Sequence, residues 1–185
     1  MRVIFGLGNP GKEYEETRHN VGFCVVDSLS QKCKVKLDSY LCQCWMGEGR
    51  IDEERILLAK PLTFVNAAGG SLSQIKQKYG IKLEDIILIS DDADLDLGKL
   101  RIARRGGDGG HKGLGSIIES LKTEEIPRLK IGIGRPDKEI ELEEYVLGRF
   151  SSEERRIIEE AVDKATEAIE VMIKRGIDKA MREYN

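Results

Sequence analysis

Histidine is nearly absent from this 185-residue chain: His19 and His111 are the only two. The four cysteines, Cys24, Cys33, Cys42 and Cys44, contain no C-x-x-C pair. With so few imidazoles to join them, a structural zinc site is disfavoured and reduced thiols, some of them in the core, are expected. No stretch of about 18 apolar residues is present, so no membrane-spanning helix is predicted. The N-terminus enters a strand-like run at residues 2–7 without the basic and apolar regions of a signal peptide, which leads us to expect a cytoplasmic protein. There is no internal repeat, no low-complexity linker and no G-x-S-x-G nucleophile elbow. The length suits one self-sufficient domain spanning residues 1–185.

What is present is charge, unevenly placed. The chain carries a formal −3, yet residues 99–138 hold ten Lys and Arg against five Asp and Glu. A basic segment on an acidic protein is either a confined footprint for phosphates or a solvated face balanced by an acidic helix. Short apolar runs at residues 3–5, 56–59, 86–89 and 129–133 read as buried strands. Helical patterns lie between them: Val21, Cys24, Val25 and Leu29; then Leu72, Ile75 and Tyr79, stopped by Gly80; then Ile117, Ile118 and Leu121. This alternation predicts an α/β fold, a twisted mixed sheet with helices on both faces. After Phe150, Ser151 or Ser152 can cap a long C-terminal helix with Ile157, Ile158, Ala161, Ala165, Ala168, Ile169 and Met172 as its apolar stripe. The charge-rich residues 136–144 read as a mobile loop.

Gly6, Gly8 and Gly11 match G-x-G-x-x-G after a strand, the pattern of a dinucleotide turn. The residues that follow, with Glu13, Glu15 and Glu16, would set three carboxylates beside a pyrophosphate, so no nucleotide cofactor is expected. The glycines serve instead to turn the backbone sharply and bring Asn9 into a cleft. His19 follows directly, and imidazole is the side chain suited to proton transfer near neutral pH. Asn66 stands where a helix opens and could be a simple N-cap. Asp91, Asp92 and Asp94 follow the strand at 86–90, and loops after strand C-termini converge on one crevice in an open α/β sheet.

In chain order the blocks GLGNPG, TRHNVGF, KPLTFVN, DDADLDLGKLR, GGDGGHKG, IGIGRP and YVLGRF resemble those of the bacterial-type peptidyl-tRNA hydrolase family, across nearly the whole length. The resemblance implies a monomeric, metal-free esterase without a cofactor, cutting the bond between a peptide's C-terminal carboxyl and the 3′ ribose of tRNA. It implies His19 as general base, Asp91 as the carboxylate that orients it, and Asn9 and Asn66 as amides that hold water, the scissile carbonyl or the peptide backbone. Asn9 is the position that senses the blocked amino end. Tyr14 and Phe64 match aromatic positions against the terminal nucleoside or the cleft wall, although either could be core. Asp92, Asp94 and His111 read as structural. Among Lys99, Arg101, Arg104, Arg105, Arg128 and Lys130, some are expected to contact tRNA phosphates, with Arg104, Arg105 and Lys130 foremost.

One departure stands out. The usual GGHNG reads Gly109-Gly110-His111-Lys112-Gly113, so an ammonium, with donors and no acceptor, replaces an amide. This predicts either slower turnover or a changed role for Lys112, such as a phosphate contact. It also keeps open a second reading, a catalytically weak or silent RNA-binding homologue on the same fold.

Overall fold

The computed structural model describes residues 1–136 and 139–185. Seven strands form one mixed sheet: β1 (Arg2–Gly6), β2 (Ser39–Leu41), β3 (Cys44–Ile51), β4 (Glu54–Pro61), β5 (Ile86–Asp92), β6 (Leu100–Ala103) and β7 (Arg128–Gly132). Their order across the sheet is β2-β3-β4-β1-β5-β7-β6. The four central strands β4, β1, β5 and β7 run parallel, and β3 and β6 are antiparallel to their neighbours. Among the described residues, six α-helices surround it: α1 (Val21–Cys33), α2 (Ala68–Tyr79), α3 (Lys112–Leu121), α4 (Leu142–Leu147), α5 (Ser152–Arg175) and α6 (Ile177–Tyr184).

β4, β1 and β5 carry unbroken apolar runs because both faces of the sheet are covered there, whereas β7 alternates Leu129 and Ile131 with Arg128 and Lys130. Ile4, Leu58 and Ile89 pack towards α1 and α5, while Val3, Phe5, Leu57 and Leu88 pack towards α2 and α3. Side chains alternate between the two layers as the strand period of two requires.

Helix α5 begins on Ser151, whose hydroxyl accepts from the Glu154 amide while Glu154 returns a bond to the Ser151 amide. Its buried stripe is Ile158, Ala161, Val162, Ala165, Ala168, Ile169, Met172 and Ile173. Ile157 does not belong to it: one residue is a rotation of about 100°, and the side chain is exposed. Cys24 likewise faces outward from α1, and of the four thiols Cys44 alone is fully buried, which pushes it up to about 12. Of the expected loop at 136–144, residues 137 and 138 lie outside the described residues, and from Leu142 the chain is helical.

The glycine-rich turn is explained by packing. A Cβ on Gly6 would lie 2.4 Å from the Gly22 carbonyl oxygen, and one on Gly22 would lie 2.5 Å from that of Leu7 and 2.7 Å from that of Ile89. The start of α1 therefore crosses β1 and β5 backbone to backbone, which fixes the residues just before it. Gly22→Ala is expected to destabilise the fold by about 1–3 kcal/mol despite alanine's better helix propensity. Urea midpoints of the two proteins check this. An unchanged or higher midpoint would contradict so tight a crossing.

Candidate active site

After β1 the chain makes no helix at Gly11. It turns through residues 11–16 and enters a short 3₁₀ turn, Arg18–Asn20, ahead of α1. His19 sits on that turn, almost completely buried. The turn is held from both sides. Asn20 accepts from the Asn9 amide at 2.8 Å and donates its Nδ2 to the Asn9 carbonyl at 2.9 Å. Arg18 donates to the Arg149 carbonyl at 2.6 Å and to both Glu154 carboxylate oxygens, and its guanidinium lies 4.3 Å from the centre of the Tyr145 ring. Neither Asn20 nor Arg18 was singled out from sequence, although both flank His19 there.

Asp91 stands at the C-terminal end of β5, its side chain 3% exposed. His19 Nδ1 is 2.8 Å from Asp91 Oδ1, and His111 Nε2 is 3.0 Å from the same oxygen. The tautomers follow from the partners. Gly109 and Gly110 turn with positive φ and deliver His111 to the N-cap of α3, where its Nδ1 accepts from the Gly113 and Leu114 amides. An Nδ1 that accepts carries no proton, so the His111 proton is on Nε2 and is donated to Asp91. The remaining lone pairs of the carboxylate draw the His19 proton to Nδ1 and leave its Nε2 as a free base. Burial opposes ionisation of Asp91, but the imidazoles of His111 and His19 that face it and donate to it outweigh this and hold its carboxyl well below the usual carboxylate range. His19, Asp91 and His111 have the ligand types of a metal site. Here their donor atoms converge on one another as a hydrogen-bonded set.

Asn9 is buried and its Oδ1 accepts from the Val65 amide at 2.9 Å. That bond fixes which end of the amide is which, so Asn9 offers its NH₂ as donor. Asn66 lies in a second 3₁₀ turn, Val65–Ala67, and is not a helix cap: the N-cap of α2 is Ala67, with no side-chain bond. Phe64 is 60% exposed and so is not core, and its ring meets that of Tyr14 edge to face at 6.4 Å. These groups line one cleft of about 560 Å³ with Asn9, His19, Asp91, His111, Lys112 and one face of α4.

The basic segment does not gather there. Arg128 is buried and spends its donors on the carbonyls of Ile126, Gly107 and Glu124, a structural role. Arg104 pairs with Asp178 and Arg105 with Glu125 at the opposite end of β6 and β7, about 13–17 Å along the strands from the Asp91 row at strand spacing. Arg104 lines a separate cavity of about 490 Å³ with Arg2, Arg175 and Arg182. Lys130 lies one row from Asp91 and bonds Asp92, whose other oxygen accepts from the Asp94 amide. Lys112 is exposed and pairs with Glu143 of α4 at 2.9 Å. Among the described residues, no helix is long and apolar enough to cross a membrane.

Comparison with known proteins adds to this geometry. Residues 3–185 match the profile of a family described as Peptidyl-tRNA hydrolase. A peptidyl-tRNA hydrolase of Caldanaerobacter subterraneus subsp. tengcongensis is 48% identical over 185 residues, all of both chains. One from Clostridium botulinum is 42% identical over 185 residues, covering all of this chain and 96% of its own. The crystal structure of peptidyl-tRNA hydrolase from Acinetobacter baumannii superposes with a TM-score of 0.94 at 34% identity, covering 100% of this chain and 94% of that one.

Proposed function

This chain belongs to the peptidyl-tRNA hydrolase family, and from that premise we propose that its cleft cleaves the ester between an N-blocked peptide and the tRNA 3′ ribose, with His19 activating water. The free Nε2 of His19, set by the shared Asp91 oxygen, is the observation that carries this reading. Nε2 takes a proton as water oxygen bonds the carbonyl carbon, and Asp91 stabilises the imidazolium that forms. The tetrahedral intermediate then expels the ribose oxygen, which recovers the proton from His19. The Asn66 amide, exposed at the cleft, donates to the carbonyl oxygen as it gains charge. Tyr14 and Phe64 receive the terminal nucleoside, where stacking is worth about 1–3 kcal/mol per base. Lys112 and Lys130 contact phosphates near the acceptor end. Arg104 and Arg105, at the far end of the sheet, serve only a tRNA body that wraps around the protein. The single domain of residues 1–185 works as a monomer, without metal or nucleotide cofactor, in the cytoplasm where its substrate is made.

Asn9 supplies the discrimination. Its donor end suits the carbonyl oxygen of a group acylating the substrate's α-nitrogen. A free ammonium there would meet another donor. Asn9→Asp keeps the acceptor for the Val65 amide and turns the donor into an oxygen. It is expected to lower kcat/KM on N-acetyl-aminoacyl-tRNA by about tenfold to a hundredfold, the effect of one unmade buried hydrogen bond. It should also narrow the preference over unblocked aminoacyl-tRNA. Release of labelled amino acid from both substrates tests this. Equal cleavage of both by the wild type would refute the reading.

A further inference from the structure

We propose that Glu143 is a resident stand-in for a substrate phosphate: it holds Lys112 in the empty cleft and gives it up when tRNA binds. This rests on the reading of Lys112 as a phosphate contact. Lys112 opens α3 on one wall and Glu143 belongs to α4 on the other, and their 2.9 Å ion pair bridges the two. Both side chains line the cleft, and Lys112 is the one lysine or arginine that does so among the described residues. Glu141 and Glu143 line it as well. Two exposed carboxylates lining the cleft repel a polyanionic ligand unless one of them has a role that ends when the ligand arrives.

The pair is built to exchange. Its partners are 61% and 72% exposed, so it is screened and readily broken. A phosphate presents the same kind of oxygens to an ammonium with a larger charge. The helix need not move. Arg18 holds its C-terminal end through the Gly148 and Arg149 carbonyls, and the Tyr145 hydroxyl donates to the Ile133 carbonyl at 2.7 Å. Only the Glu143 side chain has to swing away.

Binding of deacylated tRNA reads the exchange without any catalytic step. Glu143→Gln is expected to lower Kd about two- to fivefold, the range an exposed ion pair allows. In the Lys112→Asn background the same change should give only the small gain that removing an unpaired carboxylate gives. Glu141→Gln, which removes an equal charge not paired to Lys112, should give a smaller gain. An unchanged or raised Kd in Glu143→Gln would overturn the proposal. So would a gain that is undiminished without Lys112 or is matched by Glu141→Gln, because both would reduce it to general repulsion. Cleavage of blocked substrate by the wild type, measured in parallel, separately reports on the proposed reaction.

Discussion

Replacing Asp91 by asparagine is expected to lower kcat by about 10²- to 10⁴-fold while tRNA still binds. Both imidazoles donate to Oδ1, and asparagine keeps an oxygen at that place. What it loses is charge. The ground state, with two neutral rings, tolerates this, whereas the imidazolium formed as His19 takes the water's proton loses its counter-ion at a largely buried position. The amide can also rotate to present its NH₂, which would force His19 into the tautomer that has no free Nε2. Either route reduces the chemical step and spares binding, so the loss should fall on kcat with KM changed little.

The same variant carries a pH signature with a definite sign. Asp91 has a lowered pKa in the folded protein, so it contributes stability that is fully present above its unfolded value of about 3.9. That contribution is lost as pH falls towards the lowered value. The stability difference between wild type and Asp91→Asn should therefore be largest at neutral pH and shrink below about pH 4. Denaturant midpoints across that range check it, and a gap that widened on acidification would contradict the placement of the charge.

His19→Ala is expected to reduce kcat by about 10²- to 10⁴-fold, the usual contribution of a positioned general base, with KM within about twofold of the wild type. Among the described residues lining the cleft, the other imidazole cannot replace it. His111 Nε2 already carries a proton, and its Nδ1 is committed to the amides that start α3. The double variant with Asp91→Asn should be little worse than His19→Ala alone, because residues that act as a unit are not additive. A full additional loss would mean that Asp91 serves something other than His19.

The parts of this fold that the chain declares openly are those fixed by local pattern. β1, β4 and β5 are apolar runs with both faces covered, Gly80 ends α2 with positive φ, and Ser151 with Glu154 starts α5. β3 is silent, since Gly47, Glu48, Gly49 and Arg50 have poor strand propensity. They form a strand because β4 offers them a ladder, and Gly47 and Gly49 are glycines because the segment at Val35 and Lys36 lies where a Cβ would be. α4 is hidden in a charge-rich stretch, and it is held by Arg18 and Tyr145 contacts made across long sequence distances.

The site divides in the same way. Asn9, His19 and Asp91 sit at the ends of legible elements. The cap made by His111, the Asn9–Asn20 exchange and the burial of Arg128 arise only when distant segments meet. Charge counting along the chain could not separate Lys112 at the cleft from Arg104 at the other end of the sheet, because β6 carries the chain to that end and residues 106–111 bring it back to Asp91.

The most direct test of the account is a single turnover of N-acetyl-aminoacyl-tRNA labelled in its acyl group, with excess enzyme, acid-quenched over time and separated into tRNA-bound, protein-bound and free label. Attack by His19-activated water predicts that label passes from tRNA to free N-acetyl amino acid with none on protein at any time, and that this passage slows by the expected factor in His19→Ala. Label accumulating on the protein would contradict direct attack by water. Label that stays on bound tRNA would contradict the hydrolase itself.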